Sequence, residues 1–154
     1  MQTVRPSGVP RVVGTSERRR ILGIDPGLNT TGYGVIDIID GSVKLVEAGV
    51  VRSTASRNLA ERVAEIHEGV SDVITSLKPS AMAIEQLYSH YERPRTAILM
   101  GHARGVLILA AIQHGVTVHH YAATQIKKIL TGSGRATKEQ MQWAICRQLG
   151  LTTA

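Results

Sequence analysis

Asp25 and Glu85 are the residues of this chain whose types and settings could do chemistry together. Asp25 closes an apolar run, Ile21 to Ile24, where Pro26 and Gly27 prevent a central strand from continuing. Glu85 lies near the carboxyl end of a second apolar stretch, AMAIEQL at residues 81 to 87. If these stretches are neighbouring parallel strands, both carboxylates emerge at one edge of a sheet, within bridging distance of one cation. Two carboxylates in a dry site repel and raise a pKa unless a divalent ion neutralises them. Mg²⁺ suits such a pair, because it prefers oxygen ligands and often binds through one or two carboxylates plus phosphate oxygens. The chemistry implied is phosphodiester hydrolysis with two ions roughly 4 Å apart, one activating water and the other stabilising the leaving oxygen. Each acid also has a plainer reading, Asp25 as a cap on the Pro-Gly turn and Glu85 as an ordinary strand-end acid.

The elements that must position this pair are legible in the periodicity. Residues 31 to 39, TGYGVIDII, read as a strand joined to the first by the tight connection Leu28 to Thr30. Asp40-Gly41 is a hairpin turn, and residues 43 to 51 complete a three-stranded antiparallel meander. Over residues 57 to 77 the period changes. Leu59, Val63, Ile66, Val70 and Leu77 form one helical stripe opposed by Arg62, Glu65, Glu68 and Asp72. Lys78-Pro79-Ser80 stops this helix, and the crossover makes the strand at 81 to 87 parallel to the first.

Pro94 opens a second helix to about Gln113, whose small residues Gly101, Ala103, Gly105, Ala110 and Ala111 permit close approach of another helix. A fifth strand follows at residues 116 to 121. Thr124 is expected to cap a short helix to Leu130, and Thr137 with Gln140 a capping box for a last helix to about Leu149, with Trp143, Ile145 and Leu149 as its core contacts. The fold class is α/β, a mixed five-stranded sheet with helices on its faces.

The 154 residues support one domain, preceded by a mobile basic tail over residues 1 to 20 that ends in Arg18 to Arg20. The net charge of +6 divides unevenly, at +4 for residues 1 to 20, −5 for 21 to 92 and +7 for 93 to 154. An acidic first half meeting a basic second half suits carboxylate chemistry, through a cation, on a polyanion held by the neighbouring surface. A single cysteine, Cys146, excludes an intrachain disulfide framework and reads as a core thiol. No apolar run reaches the 18 residues of a membrane span, residues 1 to 20 lack the apolar middle of a signal peptide, and a cytoplasmic protein is expected. The histidines, including His102, His114, His119 and His120, are not at ligand spacings.

ILGIDPG, TGYGVI, AIEQLY, GHARGV and HYAATQIKKILTGSGRATKEQ, in this order, closely resemble the RuvC family of Holliday junction resolvases from about residue 21 to 150. The resemblance implies a ribonuclease H-like fold, a homodimer and Mg²⁺-dependent nicking of two symmetry-related strands of a four-way DNA junction, with a branch-migration helicase complex as partner. It implies catalytic and metal-binding roles for Asp25 and Glu85 and DNA contacts for Lys127 and Lys138. Tyr88 matches an aromatic that stacks on an unpaired base, a role that Tyr91 could share. Gly132, Ser133 and Gly134 are expected to leave backbone amides open ahead of the last helix, with Arg135 and Lys138 adding positive charge. The small-residue helix is the candidate dimer seam.

Family members continue into a further helix bearing an acidic pair, whereas this sequence ends at Ala154 with no carboxylate after Glu139. On this reading the nuclease domain over 21 to 154 lacks its final catalytic helix, and activity at this length is open. A noncatalytic junction-binding module, an actin-like or sugar-kinase-type ATP-binding domain and an RNA-processing nuclease of the same fold are the alternatives.

Overall fold

The computed structural model describes residues 17–88 and 94–152, so that most of the expected tail, and Tyr91, lie outside the described residues. Three strands form first: β1 Arg18–Asp25, β2 Thr30–Ile39 and β3 Ser42–Arg52. They are an antiparallel meander in which the Asp40-Gly41 turn takes positive φ at both residues, 50° and 79°. Two positive φ values are what a two-residue hairpin of the right twist demands, and Asp-Gly supplies them at little cost.

Helix α1, Leu59–Leu77, starts at Asn58, whose side chain accepts from the Glu61 amide while the Glu61 carboxylate accepts from Asn58. Such a cap contributes about 1 kcal/mol. The helix buries Ile66, Val70 and Ile74, and Lys78 in the left-handed region closes it. Strand β4, Ala81–Glu85, lies parallel to β1, helix α2, Pro94–Gln113, packs beside α1, and β5, Thr117–Tyr121, lies parallel to β4. The sheet order is β3-β2-β1-β4-β5. Leu22, Ile24, Val35, Met82 and Ile84 from the sheet meet Ile66, Val70, Leu107, Ala110 and Ala111 from the two long helices in one core.

Several expectations need correction. Arg18 to Arg20 are not tail but the first residues of β1. Arg20 pairs with the buried Asp37 through Nε and Nη2 at 2.8 and 2.9 Å and donates to the Leu77 carbonyl at 2.7 Å, and Arg18 adds a second ion pair to Asp37. A carboxylate that must be buried recruits the cations beside it. Helix α2 is, against expectation, long and apolar enough to cross a membrane by length and composition. Its apolarity serves two other purposes: Ala103, Leu107, Ala110 and Ala111 are buried in the core, and further aliphatic residues face outward.

Helix α3, Ala123–Thr131, begins one residue before Thr124 and has no side-chain cap at Ala122. Helix α4, Lys138–Leu149, does carry the Thr137 and Gln140 capping box. It buries no residue, and Trp143 is 64% and Ile145 38% exposed, so neither is a core contact.

Candidate active site

The register of the two central parallel strands builds the site. Ile24 of β1 lies beside Ile84 of β4, so the next residues on each strand, Asp25 and Glu85, leave the sheet at the same edge. Leu22, Ile24, Met82 and Ile84 point into the helical core, and alternation sends Gly23, Asp25, Ala83 and Glu85 to the opposite face. There they line a cleft of about 520 Å³, with Gly32 and Gly34 of β2 and Tyr121 of β5. Ile126 of α3 and Met141 and Ile145 of α4 complete its walls.

The turn after Asp25 is rigid for identifiable reasons. A Cβ on Gly27 would lie 2.3 Å from the Thr30 carbonyl oxygen, so only glycine fits. The buried Thr31 hydroxyl donates to the Gly27 carbonyl at 2.8 Å, Leu28 is buried, and Ser53 donates to its carbonyl. The turn that follows Asp25 is thereby tied both to the start of β2 and to the residue after β3.

Burial pushes the Glu85 carboxyl above the ordinary glutamate range, the negative charge of Asp25 adds to that rise, and the Lys127 ammonium opposes it. Asp25 and Lys127 therefore both lie close enough to act on the Glu85 carboxylate. Paired oxygen donors at a desolvated strand edge are the donor set that a hard divalent cation neutralises. Among the described residues, no group of three or more His, Cys, Asp or Glu gathers at a potential metal site.

Tyr88, 63% exposed, lies three residues beyond Glu85 at a separate shallow recess lined by Gln86, Leu87, Arg104 and His120. Arg135 and Lys138 are exposed around the α3–α4 turn. Two of the three glycine-turn amides, those of Gly132 and Ser133, are not open as expected. Gly132 donates to the Lys128 carbonyl, Ser133 to the Thr131 hydroxyl and Arg135 to the Ser133 hydroxyl. A carbonyl thus takes the Gly132 amide and hydroxyls take those of Ser133 and Arg135, while the exposed Arg135 and Lys138 side chains supply positive charge. At the α4 amino end, Glu139 has its carboxyl held below the ordinary range by a backbone hydrogen bond.

Sequence reasoning missed Arg104, whose Nε donates to the Glu85 carbonyl at 3.0 Å. The available signal was an arginine in the middle of an apolar helix with no acidic residue in that helix. It also missed the walls Ile126, Met141 and Ile145, since residues with no burial in the core carry no periodic signature of a cleft.

A mixed five-stranded sheet with an acid at the end of its first strand and another at the end of its fourth defines a ribonuclease H-like protein. The family model for the crossover junction endodeoxyribonuclease RuvC matches residues 21–154, and the chain belongs to the RuvC family. It is 58% identical over 131 residues to the RuvC of Rhodopirellula baltica, a match covering 85% of this chain and 74% of that protein. It is 43% identical over 122 residues to that of Paramagnetospirillum magneticum, covering 79% and 73%. Among solved structures, Thermus thermophilus RuvC in complex with a Holliday junction substrate matches with a TM-score of 0.79 and 33% identity, covering 88% of this chain and 82% of that one. Membership sets aside the actin-like and sugar-kinase reading.

The raised Glu85 pKa has a measurable consequence. A carboxyl whose folded pKa exceeds its unfolded one favours the folded state in its protonated form, and that advantage is lost as pH rises through the folded value. Glu85→Gln should therefore raise Tm at pH 7 in cation-free buffer, with the gain shrinking toward pH 4 as parental Glu85 protonates. A thermal scan at both pH values checks this; equal Tm values for parent and variant at pH 7 would contradict it.

Proposed function

We propose that this chain is the nuclease subunit of a structure-selective DNA endonuclease that nicks four-way junctions, with Asp25 and Glu85 holding Mg²⁺ between them. The observation that carries the reading is that two carboxylates meet at the ends of register-paired parallel strands and line one cleft. Support for the substrate comes from the Thermus thermophilus relative, determined with a Holliday junction substrate. The resemblance implies two ions in each subunit of the complete family site, and Asp25 and Glu85 are the described residues that would hold Mg²⁺ here. Bound Mg²⁺ would polarise a water and stabilise charge developing on phosphate oxygens.

The chain's own residues divide the remaining work. Asp25 and Glu85 supply the anionic oxygens, and Lys127, close enough to act on Glu85, offers a cation to the phosphate drawn in beside them. Ile126, Met141 and Ile145 wall the cleft with apolar surface and so limit the water that reaches it. Exposed Tyr88 presents a ring for stacking on an unpaired base, worth about 1–3 kcal/mol. Arg135 and Lys138 extend the phosphate-binding surface along the α3–α4 turn.

A junction with two-fold symmetry calls for two such clefts, and α2 offers the seam. Ile98, Leu109 and Ile112 are 62%, 48% and 61% exposed. They share an outward helical stripe with Gly101 and Gly105, where an added Cβ would meet nothing within 4 Å. A helix of a second copy can lie close against such a stripe, which gives a two-fold interface.

The direct test is a labelled four-way junction with Mg²⁺. The parent should bind and nick it in symmetry-related strands, Asp25→Asn should bind without nicking, and Lys138→Ala should bind more weakly, with its log–log salt slope reduced by about 1. Binding without nicking by the parent would leave a noncatalytic junction-binding module, and nicking by Asp25→Asn would remove Asp25 from the mechanism. For the seam, sedimentation velocity should give a dimer for the parent and a monomer of unchanged Tm for Gly105→Glu. A dimer that survives this substitution would place the interface elsewhere.

A further inference from the structure

The carboxyl end of β4 is held by a residue that the proposed chemistry leaves idle. Arg104 stands on α2 next to buried Ala103 and three residues before buried Leu107. Its side chain therefore leaves from the flank of the packed face, and its guanidinium reaches the end of the sheet. There Nε donates to the Glu85 carbonyl oxygen at 3.0 Å, and Nη2 meets Nδ1 of His120 on β5.

The opposite side of the same peptide group is held as well, because the Gln86 amide donates to the Tyr121 carbonyl at 2.8 Å. In a trans peptide the N–H and C=O point in opposite directions, so a carbonyl whose amide faces β5 faces away from β5. Pairing between β1 and β4 ends one residue earlier, at Ile24 and Ile84, and the carbonyl has no strand donor on that side. Arg104 takes the place of the missing strand. The peptide plane between Glu85 and Gln86 is thus fixed at both of its polar atoms, by α2 and by β5. The flanking Cα atoms lie in that plane, so holding it holds the position of the Cα that carries the Glu85 carboxylate.

We propose that Arg104 is a positioning residue for Glu85, clamping the Glu85–Gln86 peptide plane so that the carboxylate stays turned toward Asp25. The inference rests on the reading of Asp25 and Glu85 as shared cation ligands. Arg104 acts through the backbone, since its donor meets the Glu85 carbonyl rather than the carboxylate. Because α2 also presents the outward apolar stripe, the clamp ties the geometry of the cleft to the helix at the candidate dimer seam. A displacement of about 1 Å at a reacting group is enough to cost about 10²-fold in rate.

The experiment compares the parent with Arg104→Met, which keeps the aliphatic bulk, and Arg104→Lys, which keeps one donor. Three readouts are taken on the full chain: exchange of the Gln86 amide by NMR without cation, Mn²⁺ binding by electron paramagnetic resonance, and junction nicking with kcat separated from KM. In Arg104→Met the Gln86 amide should exchange at least about 10-fold faster while core amides of β1 and β4 keep their protection. Mn²⁺ affinity should fall about 10-fold and kcat about 10- to 100-fold, with KM for the junction within about twofold of the parent. Arg104→Lys should recover most of each loss.

Parental Gln86 exchange and Mn²⁺ affinity in Arg104→Met would overturn the proposal. So would general loss of amide protection across the sheet in both variants, which would make Arg104 a strut of the fold. A parent that binds no Mn²⁺ while its Gln86 amide responds as described would refute the cation reading, and the assigned purpose of the clamp would fall with it.

Discussion

The site depends on the parallel pairing of β1 with β4 in the register that sets Ile24 beside Ile84. Side chains alternate along a strand, so this one register sends Leu22, Ile24, Met82 and Ile84 into the helical core and delivers Asp25 and Glu85 together to the other face. A slip by one residue would bury the carboxylates and expose the isoleucines, and burial of the apolar set therefore enforces the arrangement of the acids. Both strands then end at once. Pro26 and Gly27 stop β1, and the Gln86 amide turns to Tyr121 as β4 ends. Stability and the placement of the polar pair have a common origin in this pairing.

The floor of the cleft shows how composition shapes the site. Gly23, Gly34 and Ala83 stand level with one another on three adjacent strands. Crowding does not require the two glycines, since a Cβ on Gly34 would meet nothing within 4 Å and one on Gly23 only the Gly34 carbonyl at 3.7 Å. Their effect is to leave the floor low, so that the carboxylates rise above it and the apolar side chains of α3 and α4 stand over an open trough.

Much of this was legible in the sequence, and the failures have physical causes. The three hairpin strands, the crossover helix, the parallel strand and the Thr137 capping box follow from turn chemistry and periodicity, which are local. The meeting of Asp25 and Glu85 required in addition that the crossover set β4 directly beside β1, which periodicity does not reveal. Apolar side chains on a helix are usually core contacts, but Ile145 stands over the glycine-lined trough and Trp143 faces a separate cleft between α3 and α4. Glycine-rich turns advertise free amides, yet Thr131 and Ser133 occupy those around Gly132, and residue types do not reveal such a choice. Arg18 to Arg20 resemble a solvated tail until the burial of Asp37, opposite them on β2, supplies a reason for a basic strand. Arg104 stands out in an apolar helix, but its role does not, because its partner is a main-chain carbonyl.

Whether Asp25 and Glu85 share a divalent cation is decided by anomalous diffraction from crystals of the full chain soaked in Mn²⁺. A strong anomalous peak is expected between the two strand ends, with carboxylate oxygens of both residues at coordination distance, and no such peak in Glu85→Gln crystals. A peak ligated by only one of the two acids, or by neither, would contradict such sharing.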